Sequence, residues 1–231
     1  MDKANTLTAL LPMKRHSERV PNKNIKLFSD KPLFTIILDT LLQSKYISQI
    51  VINTDSDEIS SILEKQYSNN VVVHKRPKEL CGDFVPMNEI IKYDIQKTNS
   101  EHFFQTHSTN PLVQINTIDE AITKYIADID NYDSLFSVNR LQTRLYNKKS
   151  EPINHNLGEL VRTQDLEPIF QENSNFYIFS KFSFYNTGYN RIGKKPQMFE
   201  VSRLESQDID EKEDFIIAES IYKSIYSYYE S

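Results

Sequence analysis

The stretch LTALLPMKRHSERVPNKN, Leu7 to Asn24, decides the fold, because a short apolar run, Leu7 to Leu11, opens directly into a loop dense in cations and turn formers. A short, largely apolar run of that length reads as a first strand. In the loop, Lys14, Arg15, Arg19 and Lys23 concentrate positive charge, and Ser17, Asn22 and Asn24 add neutral donors suited to phosphate oxygens or to capping a turn. Two readings stand at this point. The run Pro12 to Asn24 is a phosphate-holding loop or a solvated basic loop, since short basic runs are common.

Outward from that stretch, apolar runs alternate with amphipathic segments. Leu33 to Leu42 reads as a helix that is apolar all round, Gln49 to Asn53 as a strand, Asp57 to Tyr67 as a helix and Asn70 to His74 as a third strand. Met87 to Lys97 and Ile118 to Ile129 continue as helices, Phe103 to Thr106 and Ser134 to Val138 as strands. This order predicts an α/β fold with a mainly parallel central sheet and helices on both faces, because parallel neighbours require crossovers. Ligands of such sheets bind beyond the carboxyl ends of the strands, which is where the cationic loop emerges. Arg140 to Gln171 lacks periodicity and reads as an excursion, a hairpin or arm. Asn175 to Phe179 and Met198 to Val201 return as strands, and Phe215 to Tyr228 as a helix opened by Asp210 with Glu213 three residues on.

At 231 residues the chain is long enough for one sizeable core and is expected to form a single domain. A net charge of -5 argues against a nucleic-acid partner and makes the loop a local feature suited to a small anion. No run spans a bilayer and no signal pattern opens the chain, so a cytoplasmic protein with no membrane partner is expected. Cys81 is the single cysteine and leaves no internal disulfide or Cys-rich zinc site. Only four glycines are present, with neither a G-x-G-x-x-G nor a G-x-x-x-x-G-K-(S/T) pattern, so phosphate recognition has to rest on side-chain cations.

The same residues carry a family resemblance. Met13 to Asn24 is similar to the A-R-x-x-S-K-x-(I/L)-P-x-K-N loop of the acylneuraminate cytidylyltransferases, with Ser17, Pro21, Lys23 and Asn24 matching. Lys14 stands in place of an Arg and Glu18 in place of a Lys, and Arg19 is able to supply the displaced cation. Lys31 to Ile59 resembles the family's K-P-L segment and S-T-D turn. Arg76 to Leu80 with Gly82 and Asp83 resembles R-P-x-E-L-x-x-D, Thr106 to Leu112 resembles L-Q-P-T-S-P-L, and Ser206 to Phe215 resembles D-I-D-T-x-x-D. The resemblance covers nearly the full chain. It implies a Rossmann-like fold of the nucleotide-diphospho-sugar transferase type and the transfer of CMP from CTP to a hydroxyl of an acidic sugar.

By this resemblance Lys14, Ser17, Arg19, Lys23 and Asn24 face the nucleotide, with Arg76, His107 and Asn110 near it. Asp208 and Asp210 hold Mg²⁺, and Lys23, Asp208 and Asp210 are the catalytic set. On spacing alone the aspartates serve a helix cap as well as a metal, though residues two apart in an extended segment share a face and leave Ile209 for the core. Arg76 suits a structural salt bridge as well as a nucleotide contact. Gln171 and Asn173 fall in the acceptor-binding F-R-P-N-G segment, with Gln171 at the Arg position. That departure implies a changed acceptor, N-acetylneuraminate being the one expected to fail, or a carboxylate held by Arg162, Arg191, Lys194 or Lys195. The excursion at 140–171 takes the place of a dimerisation arm, which implies a homodimer. Two rivals remain: a same-fold transferase using another triphosphate or a non-sugar acceptor, and a silent CTP-binding homologue.

Overall fold

The computed structural model describes residues 6–67, 69, 71–159 and 161–229. Its centre is β1 (Leu7–Leu10), whose side chains are all buried. Parallel to it on one side lie β4 (Ile47–Thr54) and then β5 (Val71–Lys75), and on the other side β6 (His102–Thr106). Beyond β6 come β8 (Ile169–Ser180), β7 (Ser134–Leu141) and β9 (Pro196–Glu200), completing the seven-stranded order β5-β4-β1-β6-β8-β7-β9. Only β8 runs against the others, antiparallel to both β6 and β7, while β7 and β9 pair in parallel. The mainly parallel sheet expected from the apolar runs is therefore present. Asn70, the expected start of the third strand, lies outside the described residues.

Strand alternation sends side chains to two cores. Leu7, Ala9, Leu11, Ile50, Ile52, Phe104 and Ile178 pack against α1 (Leu33–Leu42), α2 (Asp57–Gln66) and α4 (Ile115–Ala127). Leu10, Val51, Phe103, Tyr177 and Phe179 pack on the opposite face against α3 (Met87–Gln96) and α5 (Lys181–Asn186). The apolar girth of α1 has its cause in this arrangement. Phe34, Ile37 and Leu38 face the sheet, while Leu33 and Ile36 join a third cluster with Phe28, Ile209 and Phe215 under α6 (Lys212–Tyr229). Phe28 belongs to β2 (Leu27–Phe28), which pairs with β3 (Lys31–Pro32) in a small separate hairpin. Among the described residues no helix is long and apolar enough to cross a membrane.

Two sequence expectations are corrected, and one unanticipated element is added. The excursion is shorter than 140–171, since the β7–β8 ladder continues to the pairs Arg140–Phe170 and Leu141–Ile169 and the irregular segment occupies 142–168. Its ladder absorbs a bulge between Phe136 and Val138, and Ser174 takes a φ of 58°, a left-handed conformation that disfavours any side chain. Second, α6 is not capped by an Asp210–Glu213 box; the Asp214 carboxylate reaches back and accepts the backbone N–H groups of Asp210 (3.1 Å) and Glu211 (2.7 Å). Third, α5 follows Ser180 through a capping box with Ser183, a helix too short for its periodicity to register in the sequence.

The turn between α5 and β9 is pinned to the start of β7. The Asp133 carboxylate accepts the backbone N–H of Lys194 (2.8 Å) and Lys195 (3.0 Å), and Gly193 N–H donates to Ser134 Oγ at 2.7 Å. A Cβ on Gly193 would sit 1.9 Å from Asp133 Oδ1, so this glycine is required by close approach. Gly193→Ala is expected to destabilise the fold by about 1–3 kcal/mol, read as a fall in Tm of roughly 2–4 °C per kcal/mol; an unchanged Tm would show that the turn relaxes freely.

Candidate active site

The carboxyl ends of β1, β5 and β6 open on one edge of the sheet, at the point where the order turns from β4 on one side of β1 to β6 on the other. A cleft of about 490 Å³ lies there, lined by the loop after β1 (Lys14, Ser17, Glu18, Arg19, Lys23, Asn24), by Arg76 after β5, by Gly82 and Asp83, and by His107 to Thr109 after β6.

The loop holds its shape without glycine. Met13 N–H donates to the Asn53 carbonyl at 2.9 Å and Arg15 N–H to Asp55 Oδ1 at 2.6 Å, which stitches the loop's first residues to the end of β4. Asn22 takes the left-handed turn at φ 55°, a conformation asparagine tolerates better than most residues. Asn24 is buried and uses both ends of its amide, Nδ2 donating to the Lys14 carbonyl (2.8 Å) and Oδ1 accepting from Ser108 Oγ (2.6 Å). Asn24 thus shapes the loop. Arg76 is buried as well, and it makes no salt bridge among the described residues. Its Nε donates to Asn53 Oδ1 (2.7 Å) and its terminal nitrogen to the carbonyls of Asn53 (3.0 Å) and Met13 (3.2 Å), so it braces the loop's root.

Lys23 and Arg19 tie this loop to a segment near the other end of the chain. Lys23 Nζ donates to the Ile209 carbonyl at 2.6 Å, and Arg19 forks onto Asp210 (2.7 Å) and Glu211 (3.2 Å). Ile209 is buried in the cluster under α6, and its N–H donates to the Thr109 carbonyl at 3.0 Å. Asp208 and Asp210 flank it, as the extended spacing predicts. Burial lowers the pKa of the Lys23 ammonium against the pull of Asp210 and Asp208. Burial also raises that of the Asp208 carboxyl, with Asp210 acting in the same direction. Asn110 Nδ2 lies 3.5 Å from Asp208 Oδ1 and 3.1 Å from Asn175 Oδ1, and its own Oδ1 is buried without a partner.

His107 faces the cleft with a defined tautomer. Arg191 donates to Gln105 Oε1 at 2.6 Å, which fixes the Gln105 amide and turns its Nε2 toward His107 Nε2 at 3.1 Å; His107 Nε2 is then the acceptor and Nδ1 holds the proton. Burial, reinforced by Arg191 and Lys23, pushes the imidazole pKa down to about 3. The acceptor-side candidates diverge. Asn173 sits beside Asn175, whose N–H donates to Asn173 Oδ1 at 3.2 Å, and Asn173 Nδ2 is buried without a partner. Gln171 is exposed on β8 opposite Asn139 and does not line the cleft. Gln105 and Asn175 are buried polar residues that no motif singled out, and Ser108 is buried within the Thr106–Leu112 motif without having been named; the signal of the first two in the sequence is a polar side chain next to an apolar strand.

The family model described as cytidylyltransferase matches residues 8–230. The chain is 26% identical over 233 residues to the N-acylneuraminate cytidylyltransferase of Escherichia coli O18:K1:H7, covering 93% of this chain and 52% of that protein. It is 23% identical over 227 residues to the pseudaminic acid cytidylyltransferase of Campylobacter jejuni, covering 93% of this chain and 95% of that one. The chain spans about half the length of the acylneuraminate relatives it matches. In fold it resembles a CMP:2-keto-3-deoxy-manno-octonic acid synthetase solved with CTP, with a TM-score of 0.69 at 9% identity over 95% of this chain and 99% of the other. It also resembles the 4-diphosphocytidyl-2C-methyl-D-erythritol synthase of Anaerococcus prevotii, with a TM-score of 0.62 at 13% identity over 95% and 97%. With a family model spanning almost all of its length, the chain belongs to the cytidylyltransferase family.

Proposed function

We propose that the chain transfers CMP from CTP to a hydroxyl of an acidic sugar. The acceptor oxygen forms a bond to the α-phosphorus, the bond from that phosphorus to the bridging oxygen breaks, pyrophosphate leaves and the hydroxyl proton passes to solvent. The observation that carries this reading is the bonding of the cationic loop after β1 to the Asp208–Asp210 segment, Lys23 to the Ile209 carbonyl and Arg19 to Asp210. The names of the sugar-acid relatives favour the same chemistry.

Such a reaction is mostly positioning and charge stabilisation. Lys23 is the fixed cation, held by a main-chain carbonyl and partly desolvated, which strengthens its attraction for phosphate. Lys14 pairs with Asp83, and Arg19 with Asp210 and Glu211, in exposed contacts. Exposed pairs contribute about 0–1 kcal/mol, so a triphosphate exchanges them readily for phosphate contacts, with Ser17 as a neutral donor beside them. His107 presents an Nδ1–H and, with its other nitrogen engaged, serves as a neutral donor.

Asp208 and Asp210 suit Mg²⁺. Asp208 is a half-buried carboxylate that forms no ion pair among the described residues, and its neighbour Asn110 carries an orphan amide oxygen. Among the described residues no three acidic, His or Cys side chains converge as a closed cage, and this ion ordinarily rests on one or two carboxylates completed by phosphate oxygens and water. When bound, Mg²⁺ neutralises charge developing on the departing pyrophosphate. The whole chain then acts as a single catalytic domain. Its arm at 142–168 exposes Tyr146, Ile153, Leu157 and Val161 for a second copy.

Pyrophosphate release measured with each common triphosphate against N-acetylneuraminic, pseudaminic and 2-keto-3-deoxy-manno-octonic acids is expected to require CTP and a sugar acid, with N-acetylneuraminate the poorest acceptor; preference for another triphosphate would overturn the reading. Asp208→Asn is expected to lower Mg²⁺-dependent release by about 100-fold or more, and unchanged release would remove the metal assignment. Folded His107 gains its proton only near pH 3, whereas the unfolded chain gains it near pH 6.5, so the unfolded state binds more protons in between and stability falls as pH drops through that window. His107→Gln should flatten that limb in denaturant titrations. Sedimentation equilibrium is expected to give twice the 27.1 kDa chain mass, and a monomer at micromolar concentration would exclude the dimer.

A further inference from the structure

Arg191, in the turn between α5 and β9, is a cation without a counterion. One terminal nitrogen donates to Gln105 Oε1 at 2.6 Å, and the guanidinium carbon lies 4.1 Å from the centroid of the Tyr177 ring. Among the described residues it forms no ion pair. The nearby carboxylate of Glu172 is engaged by the Tyr177 hydroxyl instead. Burial lowers the pKa of the Arg191 guanidinium, the signature of a charge that its surroundings do not fully solvate. The other cations of this region differ. Arg162 is exposed and paired with Asp165 at 2.7 and 3.1 Å, and Lys194 and Lys195 are exposed residues of the same turn.

Position gives the unpaired charge a meaning. Arg191 touches Gln105, Gln105 touches His107, and His107 lines the cleft, as Lys23 does. Arg191 itself stands behind that wall, one side chain removed from it, and both cations act on the one neutral imidazole. On the Arg191 side, the Tyr177 hydroxyl also lies 3.1 Å from Ser174 Oγ, next to the orphan Asn173 Nδ2. A partly desolvated guanidinium with free N–H groups, linked through Tyr177 and Ser174 to the residue that carries an unpartnered amide donor, is completed by a ligand that brings a carboxylate together with hydroxyl or carbonyl oxygens.

Resting on the transferase reading above, we infer that Arg191 binds the carboxylate of the acceptor sugar acid, with Asn173 donating to a neighbouring oxygen of the same molecule. Arg191 then performs the task left vacant by Gln171, from a different element of the fold.

The test pairs a protein change with a ligand change. For Arg191→Met, KM for the accepted sugar acid should rise about 10–100-fold, the loss expected for one charge-assisted contact, while KM and calorimetric Kd for CTP stay within about twofold. The carboxamide of the same acid should bind wild type more weakly by a similar factor and the variant no more weakly than the acid. Arg191→Lys, which keeps the charge but not the fork, should fold and show an intermediate loss, and Arg162→Gln should behave as wild type. An unchanged acceptor KM in Arg191→Met, or a parallel loss of CTP affinity and Tm, would overturn the assignment by making Arg191 a structural residue. If wild type releases no pyrophosphate from CTP with any acid, the transferase reading fails separately. Calorimetric binding of the three sugar acids then decides Arg191 alone, supported if wild type binds one and Arg191→Met does not, and overturned if neither binds or both do.

Discussion

The hydrogen bond from Lys23 to the Ile209 carbonyl is the contact on which the cleft depends. It joins the first loop of the chain to the segment before its last helix, and it does so with a partly buried ammonium. A desolvated cation is costly unless its donors are matched. Here the carbonyl takes one proton, and Asp208 and Asp210 supply the opposite charge. The same segment is clamped from the hydrophobic side, where Ile209 is packed among Phe28, Leu33 and Phe215, and from the sheet side by Thr109. Apolar burial thus fixes the backbone, and the backbone fixes the charges.

A second polar network stiffens the opposite wall. Buried Asp94 accepts from Asn53 Nδ2 at 2.7 Å and lies 2.8 Å from His74 Nδ1, and Asn53 in turn accepts from Arg76, which reaches the Met13 carbonyl. A helix of one face, two strands and the root of the phosphate loop are thereby connected through side chains alone. Directional contacts of this kind specify geometry more than they add stability, and geometry is what nucleotidyl transfer demands.

The parallel half of the sheet was legible because β1, β4, β5 and β6 are apolar runs of strand length whose crossovers have helical period. The remainder was not, for reasons particular to each element. The first residues of β8, Ile169 to Gln171, fall in the aperiodic stretch read as an excursion, and the polar run Gln171 to Ser174 carries no strand period that would extend Asn175 to Phe179 backwards. The β2–β3 hairpin is too brief to show any period. At the site, Lys23 and the Asp208–Asp210 pair stood out through spacing and resemblance, and Ile209 went into the core as alternation requires. Arg76 makes no salt bridge among the described residues; it bonds neutral oxygens at the root of the loop and lines the cleft. Gln105 and Asn175 left no local trace, and Arg191 stood only as one of four cations in reach of a carboxylate: each acquires its place from a partner far away in the chain, and long-range pairing has no period.

The reversed direction of β8 has a consequence for how the site is assembled. A strand parallel to β1 delivers its last residues to the cleft edge, but β8 delivers its first, so Asn173 and Asn175 follow directly on the irregular segment at 142–168. The loop after β1 is held instead by its bonds to the end of β4, through Asn53 and Asp55. On the transferase reading proposed above, the nucleotide side and the acceptor side are therefore built from separate stretches of the chain.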